Sequence, residues 1–233
     1  MISFIILFVL AIVPSLIWLM FYLRKDAHPE PNWMITKIFL YGCLAVVPAM
    51  LFEIGLGAIS QNQITILLGA VLIEETAKYL VIRWIVYRSL ELDEPVDLML
   101  YMVISALGFA ALENLLFLLS PQLTSLSSLV SVTTLRFATA IFVHTLSSGI
   151  MGYFLARNYF NPQKRKTFSW LGFILAIALH AFYNGFIITL GNEFWAHSYL
   201  ILGLFSVLPL GLILLHIFSF KKLKKMKFII PQK

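Results

Sequence analysis

Seven apolar runs, each close to the length of a bilayer crossing, leave this chain few ways to fold. They lie near residues 3–23, 36–58, 64–87, 97–119, 132–156, 168–190 and 198–220. A transmembrane helix needs about 20 apolar residues at a rise of about 1.5 Å each. Hydrocarbon offers no partner to backbone N–H and C=O groups, so a crossing segment satisfies them internally, as a helix. Of the 233 residues, 61% are hydrophobic and 12% are charged, against about a quarter charged in an ordinary soluble domain. The expected fold is all-α, a polytopic transmembrane helical bundle of about seven spans. The first run has no basic leader and no small-residue cleavage site, so it reads as a span rather than a signal peptide. Cys43 is the one cysteine, which excludes a disulfide within the chain.

The joints between the runs set the orientation. They are RKDAHPEPN (24–32), SQNQ (60–63), SLELDEP (89–95), SPQLTSLSS (120–128), NPQKRK (161–166) and GNEFWAH (191–197). Arg24, Lys25 and Lys37 flank the first, Arg83 and Arg88 the third, and Arg157, Lys164, Arg165 and Lys166 the fifth. The alternate loops near 60–63, 120–131 and 191–197 carry no Lys or Arg. Basic segments stay in the cytoplasm, so the N-terminus is expected outside and the C-terminus inside, which requires an odd number of spans. One integral-membrane domain over 1–220 and a basic cytoplasmic tail over 221–233 follow. The net charge of +6 then reflects topology and contact of the tail with anionic lipid, with no nucleic-acid partner expected.

Some residues do not suit a bilayer. Glu53, Glu74, Glu75, Lys78, Glu113, Arg136, His144 and His180 lie within the runs, with His216 near the last helix end. A charge at a helix centre costs about 2.5–3.5 kcal/mol on insertion scales. Such groups face the protein interior and pair with one another, or line a wet cavity. In EETAK (74–78), Glu74 and Lys78 are four apart and can pair, while Glu75 sits about 100° round the helix. One ion pair needs one carboxylate, so the other must find a second helix or a proton. GFAALENLLF carries Glu113, with Ala110 and Ala111 allowing close helix approach. RFATAIFVHTLSSGIMGY carries His144, with Gly149 and Gly152 as packing positions. LHAFYNGF places His180 and Asn184 on one face, so Asn184 can orient the imidazole or a substrate amide. Counted from the span ends, Glu74, Glu113, His144 and His180 share a layer roughly 9–18 Å below the outer surface. The remaining groups read as ordinary: Glu53 reaching the outer interface, Arg136 snorkelling, His28 and His197 in loops, and His216 at the inner headgroups.

These residues, in order, resemble the PrsW family of bacterial polytopic intramembrane proteases, and more distantly the CAAX-processing and bacteriocin-processing membrane proteases. The family's E-E-x-x-K appears as EETAK (74–78) and its F-x-x-x-E-N as FAALEN (109–114). The later histidines appear as His144 in HTLSSGIMGY and His180 in LHAFYN, and the early EP as Glu30-Pro31. DLMLYM (97–102) keeps Asp97 and Tyr101 of a family D-G-x-x-Y-G but neither glycine, and Asn184 stands where relatives can have Asp. The resemblance implies a multi-pass protein of the bacterial cytoplasmic membrane. It also implies a single-span substrate, a membrane-anchored anti-sigma factor cut at its extracytoplasmic side in site-1 proteolysis.

The residue chemistry fits water activation. There is no hydrolase serine motif, and Cys43 has no evident partner. Amide hydrolysis needs a base for water, a stabiliser for the oxyanion and an acid for the leaving amine. Glu74 or Glu75 is the expected base, with Lys78 holding the other. Glu113, His144 and His180 would polarise the carbonyl and place water, with Asn184 orienting His180. The same residues could hold a divalent metal such as zinc through His144, His180 and Glu113; the chain has no HExxH, so both mechanisms stay open. An ion-coupled transporter uses similar residues, but the repeated halves of many carriers are missing. A non-catalytic scaffold is the third reading. The polar loop 120–128 is the expected gate for substrate.

Overall fold

Apolar runs become helices in the computed structural model, which describes residues 4–24, 28–121, 123, 125–160, 167–193, 214, 217–223 and 225. The order is α1 (Phe4–Leu23), α2 (Asn32–Ile59), α3 (Gln63–Ile85), a 3-10 turn (Val86–Arg88), α4 (Pro95–Leu118), α5 (Leu126–Ala138), α6 (Ala140–Tyr159) and α7 (Thr167–Glu193). There is no strand among the described residues. Most of the expected span at 198–220, His197, His216, the loop at 161–166 and most of the basic tail lie outside them.

Among the described residues, five stretches are long and apolar enough to cross a membrane: Phe4–Leu23, Asn32–Ile59, Pro95–Leu118, Leu126–Tyr159 and Ser169–Ile188. Helix α3 is not among them, because Glu74, Glu75, Lys78 and Arg83 interrupt its apolar character. The helix that fails the apolar test is therefore the one that carries Glu74, Glu75 and Lys78.

The expected span at 132–156 is two helices. The chain is helical from Leu126, where the Ser125 side chain accepts from the Ser128 N–H at 3.0 Å. It breaks at Thr139, with φ −124° and ψ −73°. Neighbours take up the backbone groups at the break. The Trp18 indole donates to the Phe137 carbonyl at 3.2 Å. The Thr139 hydroxyl donates to the Leu135 carbonyl at 2.7 Å, and Tyr183 on α7 hydrogen-bonds Thr139. A break inside an apolar run is tolerated where protein covers it.

Helix α4 is the central post. It packs on α6, α2 and α1 and is buried almost throughout, while α1 and α2 leave large apolar faces exposed, as lipid-facing helices do. Backbones meet closely at its crossings. A Cβ on Gly108 would lie 2.0 Å from the Phe39 carbonyl oxygen, and one on Gly42 would lie 2.3 Å from the Ser105 oxygen. At the α4–α6 crossing, a Cβ on Gly152 would lie 2.7 Å from Met99 Cα. At one end of α4 the Tyr101 hydroxyl donates to Glu30, and Asp97 accepts from the Glu94 and Asp93 N–H groups at 2.6 and 3.0 Å. The Glu30-Pro31 joint is thereby tied to the start of α4, with no need for the two missing glycines.

Candidate active site

Helix α3 supplies the centre of the site. Glu75 is fully buried and its carboxylate has four partners from three helices. Lys78 Nζ donates to Oε1 at 2.9 Å, His180 Nδ1 to Oε1 at 2.9 Å, Ser147 to Oε1 at 3.1 Å and Ser148 to Oε2 at 3.2 Å. Buried charge is retained only when paired and hydrogen-bonded in this way. Ser147 and Ser148 follow His144 at i+3 and i+4, so helical spacing presents all three side chains together. Lys78 thus pairs more closely with Glu75 than with Glu74, the reverse of the i,i+4 pairing expected from the sequence, and α6 and α7 supply the other partners of Glu75.

Glu74 is less engaged. Its Oε2 lies 3.4 Å from Lys78 Nζ and 3.8 Å from both His144 Nδ1 and His180 Nε2. Three carboxylates, Glu74, Glu75 and Glu113, face two permanent cations, Lys78 and Arg136. One negative charge is left over, and Glu74 is where it is least compensated.

The two imidazoles meet edge to face, with centroids 4.7 Å apart. Lys78 Nζ lies 2.8 Å from His144 Nδ1. An ammonium only donates, so Nδ1 accepts and the proton sits on Nε2. That Nε2 meets Glu113 Oε2 at 2.8 Å. His180 has the opposite arrangement: Nδ1–H goes to Glu75 and Nε2 is turned toward Glu74. Glu75 therefore orients His180, the role expected of Asn184.

Glu113, Arg136, His144, His180 and Asn184 line a cavity of about 530 Å³ together with Tyr183. On α3 its wall is Gln63, Ile66, Leu67 and Ala70. That stripe runs at i, i+3, i+4 and i+7, and Glu74 is the next position on it, one turn deeper. None of the described residues of 120–128 lines this cavity. One further expectation changes. Arg136 does not snorkel: its side chain is 16% exposed and Nη2 lies 3.0 Å from Glu113 Oε1. Sequence reasoning passed over Arg136, Ser147 and Ser148; the i+3, i+4 spacing of the serines from His144 was the available signal.

A divalent ion can be tested against these donors. The expected set was His144, His180 and Glu113. Among the described residues, the three whose donor atoms lie within 4.8 Å of one another are Glu74, His144 and His180. Ligands about 2.1 Å from one ion lie at most about 4.2 Å apart, and both imidazole-to-Glu74 distances of 3.8 Å comply. Glu75 and Glu113 back the two imidazoles, as outer carboxylates do around metal-bound histidine. Glu113 thus moves from ligand to backing residue. The uncompensated charge at Glu74 also suits a cation. The donors fit, provided the Lys78 ammonium yields the His144 Nδ1 lone pair.

Comparison with known proteins agrees with this constellation. Residues 30–211 match the model of the PrsW family intramembrane metalloproteases. A protease PrsW from Geobacillus kaustophilus is 33% identical over 80% of this chain and 79% of its own. One from Oceanobacillus iheyensis is 30% identical over 74% and 79%, and one from Bacillus subtilis 28% identical over 74% and 78%. No solved structure matches the chain. The match takes in the buried Glu74–Glu75–Lys78 centre together with Glu113, His144 and His180, and it settles the class: this multi-pass membrane protein is a peptidase that belongs to the PrsW family.

Proposed function

We propose that the protein cuts a single-span membrane protein by means of water activated at Glu74. The observation that carries this reading is the contrast between two adjacent carboxylates. Glu75 has every oxygen engaged, whereas Glu74 faces two imidazoles and has no close partner except a long contact to Lys78. A water between Glu74 Oε2 and His180 Nε2, at hydrogen-bond lengths of about 2.8 Å, would give one proton to each acceptor. Its lone pairs would then face the cavity.

The surrounding residues divide the remaining work. Glu75, Lys78, Ser147 and Ser148 hold the frame and fix His180. Glu74 takes the water proton and passes it to the leaving amine, as general base and then acid. The Asn184 amide, on the cavity wall, is placed to donate to the carbonyl as charge develops on it. In the metal-dependent alternative, Glu74, His144 and His180 would hold a divalent ion that lowers the pKa of a bound water and polarises the carbonyl, in place of Glu74 acting as base.

A helical substrate has its carbonyls already bonded, so it must unwind before cleavage. Gln63, Tyr183, Asn184 and Arg136 give the cavity polar groups that an unwound backbone can bond, between apolar Ile66, Leu67, Ile187 and Ile188. The resemblance supports a membrane-anchored anti-sigma factor as substrate and the bacterial cell membrane as location. With the N-terminus outside, the site lies in the outer half of the bilayer and the cut falls at the extracytoplasmic side. Reconstituting the purified protein with a single-span anti-sigma protein and weighing the fragments tests this. A cut on the cytoplasmic side would overturn the topology, and no cut would remove the proposed substrate class. Parallel reactions with and without chelator, with metal content measured, decide the role of the ion.

A further inference from the structure

The last turn of α5 brings Arg136 to three residues of α4. Its Nη2 lies 3.0 Å from Glu113 Oε1, its Nε donates to Asn114 Oδ1, and its guanidinium stacks over the Phe117 ring, 4.7 Å from the centroid. Glu113, Asn114 and Phe117 share one side of α4 at i, i+1 and i+4. The arginine sits just before the Thr139 break, where Trp18 holds the Phe137 carbonyl and Tyr183 the Thr139 side chain. Only Leu129 of α5 is fully buried, so this clamp is a main attachment of the helix end.

Glu113 is the more exposed partner, with its side chain 33% exposed at the cavity against 16% for Arg136. Its two oxygens are divided between two neighbours. Oε1 faces Arg136, and Oε2 takes the His144 Nε2 proton. Holding one oxygen fixes the carboxylate plane and therefore the other. The geometry points to Arg136 as a positioning residue of the active site, one that acts through Glu113 to seat His144. Arg suits this role better than Lys, because its planar guanidinium sets its charge beside a carboxylate oxygen while Nε donates to a side-chain amide. Asn114 supplies that amide oxygen.

This inference rests on the peptidase reading, and the experiment separates the two. Cleavage of a single-span reporter is measured for the wild type, Arg136→Gln, Arg136→Lys, Glu113→Gln and the double variant. Loss of an outer partner typically lowers activity 10–100-fold. Arg136→Gln is expected to lower kcat on the order of 10–100-fold with KM little changed, and Arg136→Lys to recover part of it. In the Glu113→Gln background, Arg136→Gln should add no further loss, since the residue through which it acts is already disabled. Equal losses in both backgrounds, or a change confined to KM, would overturn the proposal. A second readout needs no activity. Membrane samples are treated with an apolar carbodiimide, and labelling of Glu113 is read by mass spectrometry. Arg136→Gln should raise Glu113 labelling several-fold with Glu53 labelling as the reference. Unchanged labelling contradicts the clamp even if the reporter is never cut.

Discussion

Lys78 Nζ and His144 Nδ1 lie 2.8 Å apart, and the ammonium can only donate across that distance. His144 is therefore protonated at Nε2, and its proton points to Glu113. His180 is protonated at Nδ1, toward Glu75. The two histidines should give different signals in 15N-histidine spectra of the membrane-embedded protein: Nδ1 unprotonated in His144 and protonated in His180. Two histidines with the same Nδ1 state would contradict the network.

Glu75 and Glu74 should respond differently to the same change. Glu75→Gln removes the charge that Lys78, His180 and two serines converge upon. Breaking a buried pair of this type costs roughly 3–5 kcal/mol, so Glu75→Gln should lower the unfolding temperature in detergent markedly. Glu74→Gln, with only the 3.4 Å contact to Lys78, should stay near the wild type. Equal destabilisation would mean that Glu74 is also part of the frame.

The helix crossings make a separate prediction. Gly108→Ala would place a Cβ 2.0 Å from the Phe39 carbonyl oxygen, forcing α2 and α4 apart. Overpacking of this kind costs about 1–3 kcal/mol. Gly55 has nothing within 4 Å of its would-be Cβ, so Gly55→Ala should not destabilise. Thermal unfolding of the two variants, side by side, checks the crossing.

Much of the site was legible because the chain penalises charge everywhere else. Glu74, Glu75, Lys78, Glu113, His144 and His180 stand out in apolar runs, and hydrocarbon forces such groups together. Helical period also placed Glu74 within reach of Lys78. Partner choice was not legible. Glu75 rather than Glu74 is saturated because two serines and an imidazole from other helices converge on it, which one helix's period cannot show. Arg136 reads as a snorkelling residue until the break at Thr139 turns the end of α5 toward α4. That break was hidden because Thr139 sits in an apolar run with no Pro to mark it. Trp18 takes the Phe137 carbonyl just before it and Tyr183 takes the Thr139 side chain, from more than a hundred and about forty residues away in sequence.

Orientation carries its own test. Reporter fusions should show the N-terminus outside and the C-terminus inside, as the Lys and Arg distribution requires. A cytoplasmic N-terminus would move the site to the inner half of the bilayer and the cut with it.

The measurement closest to the central claim compares Glu74→Gln with the wild type in liposomes holding a single-span substrate, with matched protein levels and confirmed folding. Water activation by a general base contributes on the order of 10²–10⁴-fold. Cleavage by Glu74→Gln should fall by that much while the protein remains folded and the substrate still binds. Cleavage by Glu74→Gln at the wild-type rate would contradict the account.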